Sequence, residues 1–280
     1  MATAEKFRYD GKHALVVGGA TGMGAAAAKA AAELGAEVTV LDHAPVGFEV
    51  HHTGRVDLRD PESIDAAVAA LERPVDALFA AAGVADGPDV MKINFIGHRH
   101  LIDRLRERGS FNRGAAICFI SSVGGIGWES DLERLNDFLA TPSFETAVKW
   151  ISEHDNDTGS INSYPFSKQA LNTYVAAQAY PFIKEGIRIN AICPGPTDTP
   201  LSQANADLWL SFGEDYRQDT GLDIHTPEQM ADVMVFLNSA AASAISGVNV
   251  LVDHGHVMSS RAGAFAPGKP IVDFLMHMEL

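Results

Sequence analysis

Cysteine is nearly missing from this chain of 280 residues, which holds two. Cys118 and Cys193 each lie inside an apolar, strand-like run, Ala-Ala-Ile-Cys-Phe-Ile and Ile-Asn-Ala-Ile-Cys-Pro. They read as small buried hydrophobes rather than as a disulfide or a metal site. A reducing cytoplasm suits such thiols, and the first ten residues contain no apolar segment of the secretory kind. Positive charge is short as well. Lys+Arg number 21 against 36 Asp+Glu, a net charge of −15 that repels phosphate backbones and anionic lipid, so neither nucleic acid nor membrane is an expected partner. No apolar run is long enough to span a bilayer: the uncharged stretch Val233–Val252 is interrupted by Asn238, Ser239, Ser243, Ser246, Gly247 and Asn249. Repeats and Ser- or Gly-rich linkers are missing too, which leaves residues 1–280 as one expected domain.

What is present is an alternation of short β-rich runs with longer helical patterns, the signature of a doubly wound parallel sheet in an α/β fold. His13–Val17, Glu37–Leu41, Arg55–Val56, Val75–Ala80, Ala115–Ile120, Ile187–Ile192 and Val248–Val252 read as strands. Met23–Leu34, Pro61–Leu71, Val90–Arg108, Ser163–Lys184 and Pro227–Leu237 read as helices. Two segments break the rhythm. Residues 123–162 are far too long for a strand-to-helix loop, and Leu132, Leu135, Phe138, Leu139, Phe144, Val148 and Ile151 recur at helical spacing. They predict a helical insertion of two short amphipathic helices packed over the sheet's edge. The tail, 261–280, is set off by Pro267-Gly268 and Pro270 and is too apolar to dangle in water.

The first strand runs into Gly18-Gly19-Ala20-Thr21-Gly22-Met23-Gly24 and then a helix. In that context glycines let the backbone turn tightly against a pyrophosphate held at the helix N-terminus. Asp42 ends the next strand, about 20 residues beyond the loop, where a carboxylate meets the adenosine ribose. It accepts hydrogen bonds from free hydroxyls and repels a 2′-phosphate, and no Lys or Arg lies in the loop or just after Asp42, so NAD(H) is the expected cofactor.

Tyr164 and Lys168 stand four residues apart, hence on one helix face, where a cation can draw a phenol's pKa toward the working range. Ser121-Ser122 follow the strand Ala115–Ile120, which places a hydroxyl at the ligand-binding ends of the strands.

These motifs together resemble the short-chain dehydrogenase/reductase family, and the markers continue in order: Asp57-Leu58, Ala81-Ala82-Gly83, Asn94, and Pro194-Gly195-Pro196-Thr197-Asp198-Thr199. The resemblance implies Tyr164 as acid/base and Ser122 as the group polarising the carbonyl. Lys168 would lower the tyrosine pKa and bond the nicotinamide ribose, and Asn94 would hold a water that links Lys168 to solvent. Thr199 would bond the carboxamide, with Pro194 and Thr197 beside it, while Asp57 and Leu58 fall at the adenine. Two positions depart from the usual pattern: Gly18-Gly19 stand for Thr-Gly, and Ala81 stands for an Asn, which is expected to loosen the central sheet. The long insertion and the Val-Asp-His-Gly-His ending make the chain most similar to the bacterial 3α-hydroxysteroid dehydrogenase/carbonyl reductase subgroup.

The resulting expectation is interconversion of a secondary alcohol and a ketone with NAD(H). A bulky apolar substrate (steroid, terpene or aromatic) would lie against Trp128, Leu201, Trp209 and Phe212. The alternatives are a 3-ketoacyl thioester reductase and a non-catalytic NAD-binding regulatory protein. A homo-oligomer is expected, a dimer before a tetramer, because the insertion would mask a helix pair that many relatives use to tetramerise. No metal is expected: His154-Asp155-Asn156-Asp157 reads as a solvated turn, and the remaining histidine pairs lack ligand spacing.

Overall fold

The computed structural model describes residues 2–158 and 161–276. Strands β1 (His13–Val17), β2 (Glu37–Asp42), β3 (His52–Arg55), β4 (Val75–Ala80), β5 (Phe111–Ile120), β6 (Arg188–Pro194) and β7 (Asn249–Val252) form one sheet in the order β3-β2-β1-β4-β5-β6-β7. All six pairings are parallel. Every residue of β1 and β6 is buried, as strands covered on both faces must be.

Successive side chains leave a strand on opposite faces, and here they divide the core in two. Leu15, Val17, Leu78, Ile117 and Phe119 join one apolar cluster, under helices α2 (Pro61–Ala69), α3 (Gly97–Glu107) and α6 (Tyr164–Glu185). Ala14, Val16, Val38, Val40 and Phe79 join the other, under α1 (Gly22–Glu33) and α10 (Pro227–Asn238). Alanines on α1 let it lie close against both the sheet and α10. The two thiols, Cys118 and Cys193, are free and buried.

The sheet is not loosened at Ala81. Its N–H donates to the Val17 carbonyl at 2.8 Å, so the β1–β4 pairing runs past the strand end. The third strand lies earlier than the pattern Arg55–Val56 predicts. β3 is an edge strand with all four residues exposed, so it carries no apolar signature.

The insertion is helical but does not cover a sheet edge. Its helices α4 (Leu132–Leu139) and α5 (Phe144–Thr158) pack outside the helix layer: α4 rests on α6, and α5 on α4 and on the π-helical turn Lys92–Ile96 that precedes α3. Phe138 is the pivot, fully buried with its ring 5.6 Å from Phe95, 5.1 Å from Trp150 and 5.8 Å from Phe166. The stretch read as a turn, 154–157, belongs to α5. The His154 ring stacks on Trp150 at 4.0 Å, and the side chains of residues 156–158 lie outside the described set.

After β6 come three short helices, α7 (Pro200–Gln203), α8 (Ala206–Trp209) and α9 (Glu214–Thr220). The tail forms α11 (His256–Arg261) and α12 (Lys269–Met276), and residues 277–280 lie outside the described set. No helix among the described residues is long and apolar enough to cross a membrane.

Candidate active site

A cleft runs along the C-terminal ends of β1, β2, β4, β5 and β6, the edge where parallel sheets bind their ligands. It has two chambers that share Met23, Ala81, Gly83, Thr199 and Leu201 as walls.

The first chamber, about 380 Å³, is lined by Gly18, Thr21, Gly22, Met23 and Gly24 at the start of α1, with Asp42, Asp57, Leu58, Ala81, Ala82 and Gly83 around it. Gly18 has φ +85, and a Cβ there would strike the backbone of Ala82, so only glycine lets β1 turn into the loop at this depth. Thr21 occupies the N-cap of α1 without capping it through its side chain, which leaves the helix N-terminus open toward the chamber. Asp42 serves the loop as well as the cavity. One carboxylate oxygen accepts from the Ala20 N–H at 2.8 Å, and the other from the Ala44 N–H at 2.9 Å. These features fit a dinucleotide: a bare helix N-terminus for the pyrophosphate and an acid for the ribose. One cation escapes the sequence reading. Arg59 lines the same chamber, but it forms a bidentate pair with Asp57 and pulls that carboxyl down to about 2. Its nearness to the cavity depends on the turn after β3, which no spacing rule marks.

The second chamber, about 280 Å³, holds Ser122, Tyr164 and Lys168. Ser163 caps α6, its hydroxyl accepting from the Phe166 N–H, and so sets Tyr164 at the first position of the helix. Lys168, one turn later, is buried and donates from Nζ to the Ile120 carbonyl at 2.9 Å. Its ammonium lies 5.3 Å from the Tyr164 ring centroid, against the ring face. Burial pushes the phenol up to about 12, and the group that pulls it down is Ser122, through a hydrogen bond. Burial also holds Lys168 down, at about 8. Both ionisable groups resist charge in this low-dielectric pocket, and the Ser122 hydroxyl acts against the rise at Tyr164.

Asn94 lies in the π-helical turn, fully buried. Its side-chain oxygen accepts from the Val84 N–H at 2.8 Å, and both amide hydrogens are engaged, one with the Val84 carbonyl and one with Ser167 Oγ. The side chain is a clamp that ties the chain leaving β4 to α6, next to Lys168. Thr199 also carries a structural duty. It caps α7 in a reciprocal capping box with Ser202 and faces both chambers, while Thr197 and Pro194 line the second. Ser202 is missed by motif reading, although Thr-Pro-Leu-Ser is a readable helix-start signal.

Of the residues expected to meet substrate, Leu201, Trp209 and Phe212 line the second chamber, and the Trp209 ring sits 4.7 Å from that of Tyr164. Trp128 does not line it. The indole packs against the main apolar cluster, because the turn Trp128–Asp131 leads it toward α4 and α6. Leu275 of α12 lines the chamber instead. Among the described residues, no group of three His, Cys, Asp or Glu could hold a metal ion.

Comparison with known proteins agrees with this geometry. A family model described as short chain dehydrogenase matches residues 12–130, and one described as Enoyl-(Acyl carrier protein) reductase matches residues 151–257. The chain belongs to the short-chain dehydrogenase/reductase family, whose members bind a nicotinamide cofactor, and it is an oxidoreductase of alcohols and ketones. It is 30% identical to the 3-alpha-hydroxysteroid dehydrogenase/carbonyl reductase of Comamonas testosteroni, over 86% of this chain and 95% of that one. It is 28% identical to the coniferyl-alcohol dehydrogenase of a Pseudomonas strain, over 87% of this chain and 96% of the relative. The NADH complex of the 3-alpha-hydroxysteroid dehydrogenase from Pseudomonas sp. B-0831 superposes with a TM-score of 0.71 at 26% identity, covering 90% of this chain and 99% of that one.

Proposed function

We propose that the protein is an NAD(H)-dependent dehydrogenase/reductase that interconverts a secondary alcohol and a ketone on an apolar, ring-bearing substrate. The observation that carries this reading is the second chamber itself. Ser122 and Tyr164 bring two hydroxyls into it, and Leu201, Trp209, Phe212 and Leu275 give it an apolar wall. At about 280 Å³, part of it needed by a nicotinamide ring, the chamber favours an aromatic or other compact ring system over a steroid. The coniferyl-alcohol relative is in keeping with that size.

Asp42 at the ribose end supports NAD, and Arg59 does not reverse it, because Asp57 already neutralises that cation. The acidic chain, at net −15, also disfavours a thioester on an acidic carrier. The presence of Ser122, Tyr164 and Lys168 in one chamber argues against a purely regulatory NAD-binding role.

When bound, the nicotinamide supplies hydride exchange with the substrate carbon. The protein's residues do the rest. Ser122 and Tyr164 hold the substrate oxygen, and Tyr164 Oη takes the alcohol proton in oxidation or returns it in reduction. Lys168 is positioned by the Ile120 carbonyl to bond the ribose, and Asn94 holds the β4 exit so that this geometry persists. Trp209 and Leu201 keep water from the reacting oxygen.

The test is NADH formation from 1-phenylethanol and larger aryl alcohols, with NAD⁺ and NADP⁺ in parallel. Turnover with NAD⁺ should exceed that with NADP⁺ at least about tenfold, since a 2′-phosphate would face Asp42. Preference for NADP⁺ would sink the Asp42 argument. Tyr164→Phe should cut turnover by about 10²- to 10⁴-fold while NADH binding, read by fluorescence, stays intact. Unchanged turnover in that variant would overturn the mechanism.

A further inference from the structure

The C-terminal segment reaches back to the catalytic strand. Val272 of α12 is completely buried in a small apolar cluster with Val123, Ile126 and Val257, and Leu275 and Met276 pack against it. Val123 and Ile126 belong to the loop that directly follows Ser122, and Val123 lines the same chamber as Leu275. One point of this contact is very close. At Gly127, φ is +81, and a Cβ would lie 2.6 Å from the Leu275 carbonyl oxygen and 2.7 Å from the Met276 Cα. Both of those atoms are backbone and cannot swing aside, and the left-handed torsion independently disfavours any other residue. Glycine therefore lets α12 settle at the depth where Leu275 enters the chamber. The outer side of α12 faces solvent, with Phe274 60% exposed.

We propose that α12 is a built-in roof of the substrate chamber, seated on Gly127, and that Leu275 is a specificity-determining residue that sets the largest ring system admitted. This rests on the alcohol–ketone reading and narrows its substrate class to compact apolar rings that meet Leu275. Shortening the side chain enlarges the chamber at the wall that α12 supplies, and lengthening it narrows the chamber there. Ser122, Tyr164 and Lys168 are unaltered in both cases, so the change must appear as a size preference and not as a uniform loss.

The experiment compares the wild type with Leu275→Ala, Leu275→Trp, Gly127→Ala and, as a solvent-facing control, Phe274→Ala. Oxidation of cyclohexanol, 1-phenylethanol and 1-(2-naphthyl)ethanol is followed with NAD⁺, and backbone hydrogen exchange is followed over residues 270–275. Leu275→Ala should raise kcat/KM for the naphthyl alcohol relative to cyclohexanol by about tenfold or more, and Leu275→Trp should lower the same ratio, with Phe274→Ala unchanged. Equal effects on all three alcohols, or none, would overturn the specificity role. The amides of α12 should be protected in the wild type and lose protection in Gly127→Ala, while NADH binding reports that this variant is folded. Protection unchanged in Gly127→Ala overturns the seat. If the wild type oxidises no alcohol, the alcohol–ketone reading falls, whereas the exchange result still decides whether Gly127 seats α12.

Discussion

Tyr164 shows how local chemistry and burial compete at a single residue. A phenol acting as a base must lose its proton first, so log kcat/KM for alcohol oxidation rises with pH and levels off above the tyrosine pKa. Burial places that pKa at about 12 in the free chain, and the Ser122 hydroxyl draws it down. Ser122→Ala lowers the rate through loss of a substrate contact and also removes the lowering influence on Tyr164, so its alkaline plateau should move to higher pH, whereas Ser122→Thr keeps the hydroxyl and should keep the profile. A pH–rate series on the three proteins checks this. A plateau that stays put in Ser122→Ala would mean that Ser122 does not tune the phenol. Motif spacing marks Tyr164, Lys168 and Ser122 correctly as neighbours in one chamber, but it cannot say which neighbour tunes which. That depends on where an ammonium points, and here Lys168 is drawn to a backbone carbonyl, that of Ile120, which has no side-chain signature.

At the scale of elements, the insertion supports the site from outside. Phe138 of α4 touches Phe95, beside Asn94, and Phe166, two residues beyond Tyr164. Phe138→Ala would leave a cavity among three aromatic rings and should cost about 3–5 kcal/mol of stability, read from urea unfolding. Because that cavity adjoins both positioning segments, turnover should fall with it. A loss below about 1 kcal/mol would mean that α4 is not anchored through this ring. The helical spacing of Leu135, Phe138, Phe144 and Ile151 makes the insertion legible as amphipathic helix, but a hydrophobic stripe states only that a partner exists. The choice of α6 and the π-helical turn over the sheet edge lies in the arrangement of other elements.

At the scale of the whole molecule, the sheet edge at β7 matters. β7 ends the sheet, and beside it Tyr180 and Ile183 of α6 are exposed at 71% and 47%, with Val248 also open to solvent. The insertion meanwhile occupies the outer side of α6 near its start. We therefore expect a dimer in solution, and light scattering should return twice the mass of 29.9 kDa. Tyr180→Glu should shift that equilibrium toward monomer, since a charge would have to be buried at the contact. A tetramer, or a wild-type monomer, would contradict the expectation.

What the sequence determined by itself is everything that short-range rules can carry. The strand and helix order follows from hydrophobic periodicity, the glycine turn from glycines between a strand and a helix, the acid lining the first chamber from its place at the end of β2, and the pairing of Tyr164 with Lys168 from one turn of helix. Tertiary structure decided which apolar residues face the ligand. Trp128 and Leu275 are both hydrophobic candidates in the chain, yet Trp128 packs against the outside of the core and Leu275, 147 residues further on, becomes a wall of the chamber. Hydrophobicity demands burial without naming the surface that provides it. That surface is assembled here by contacts distant in sequence, between the loop after Ser122 and a helix at the far end of the chain.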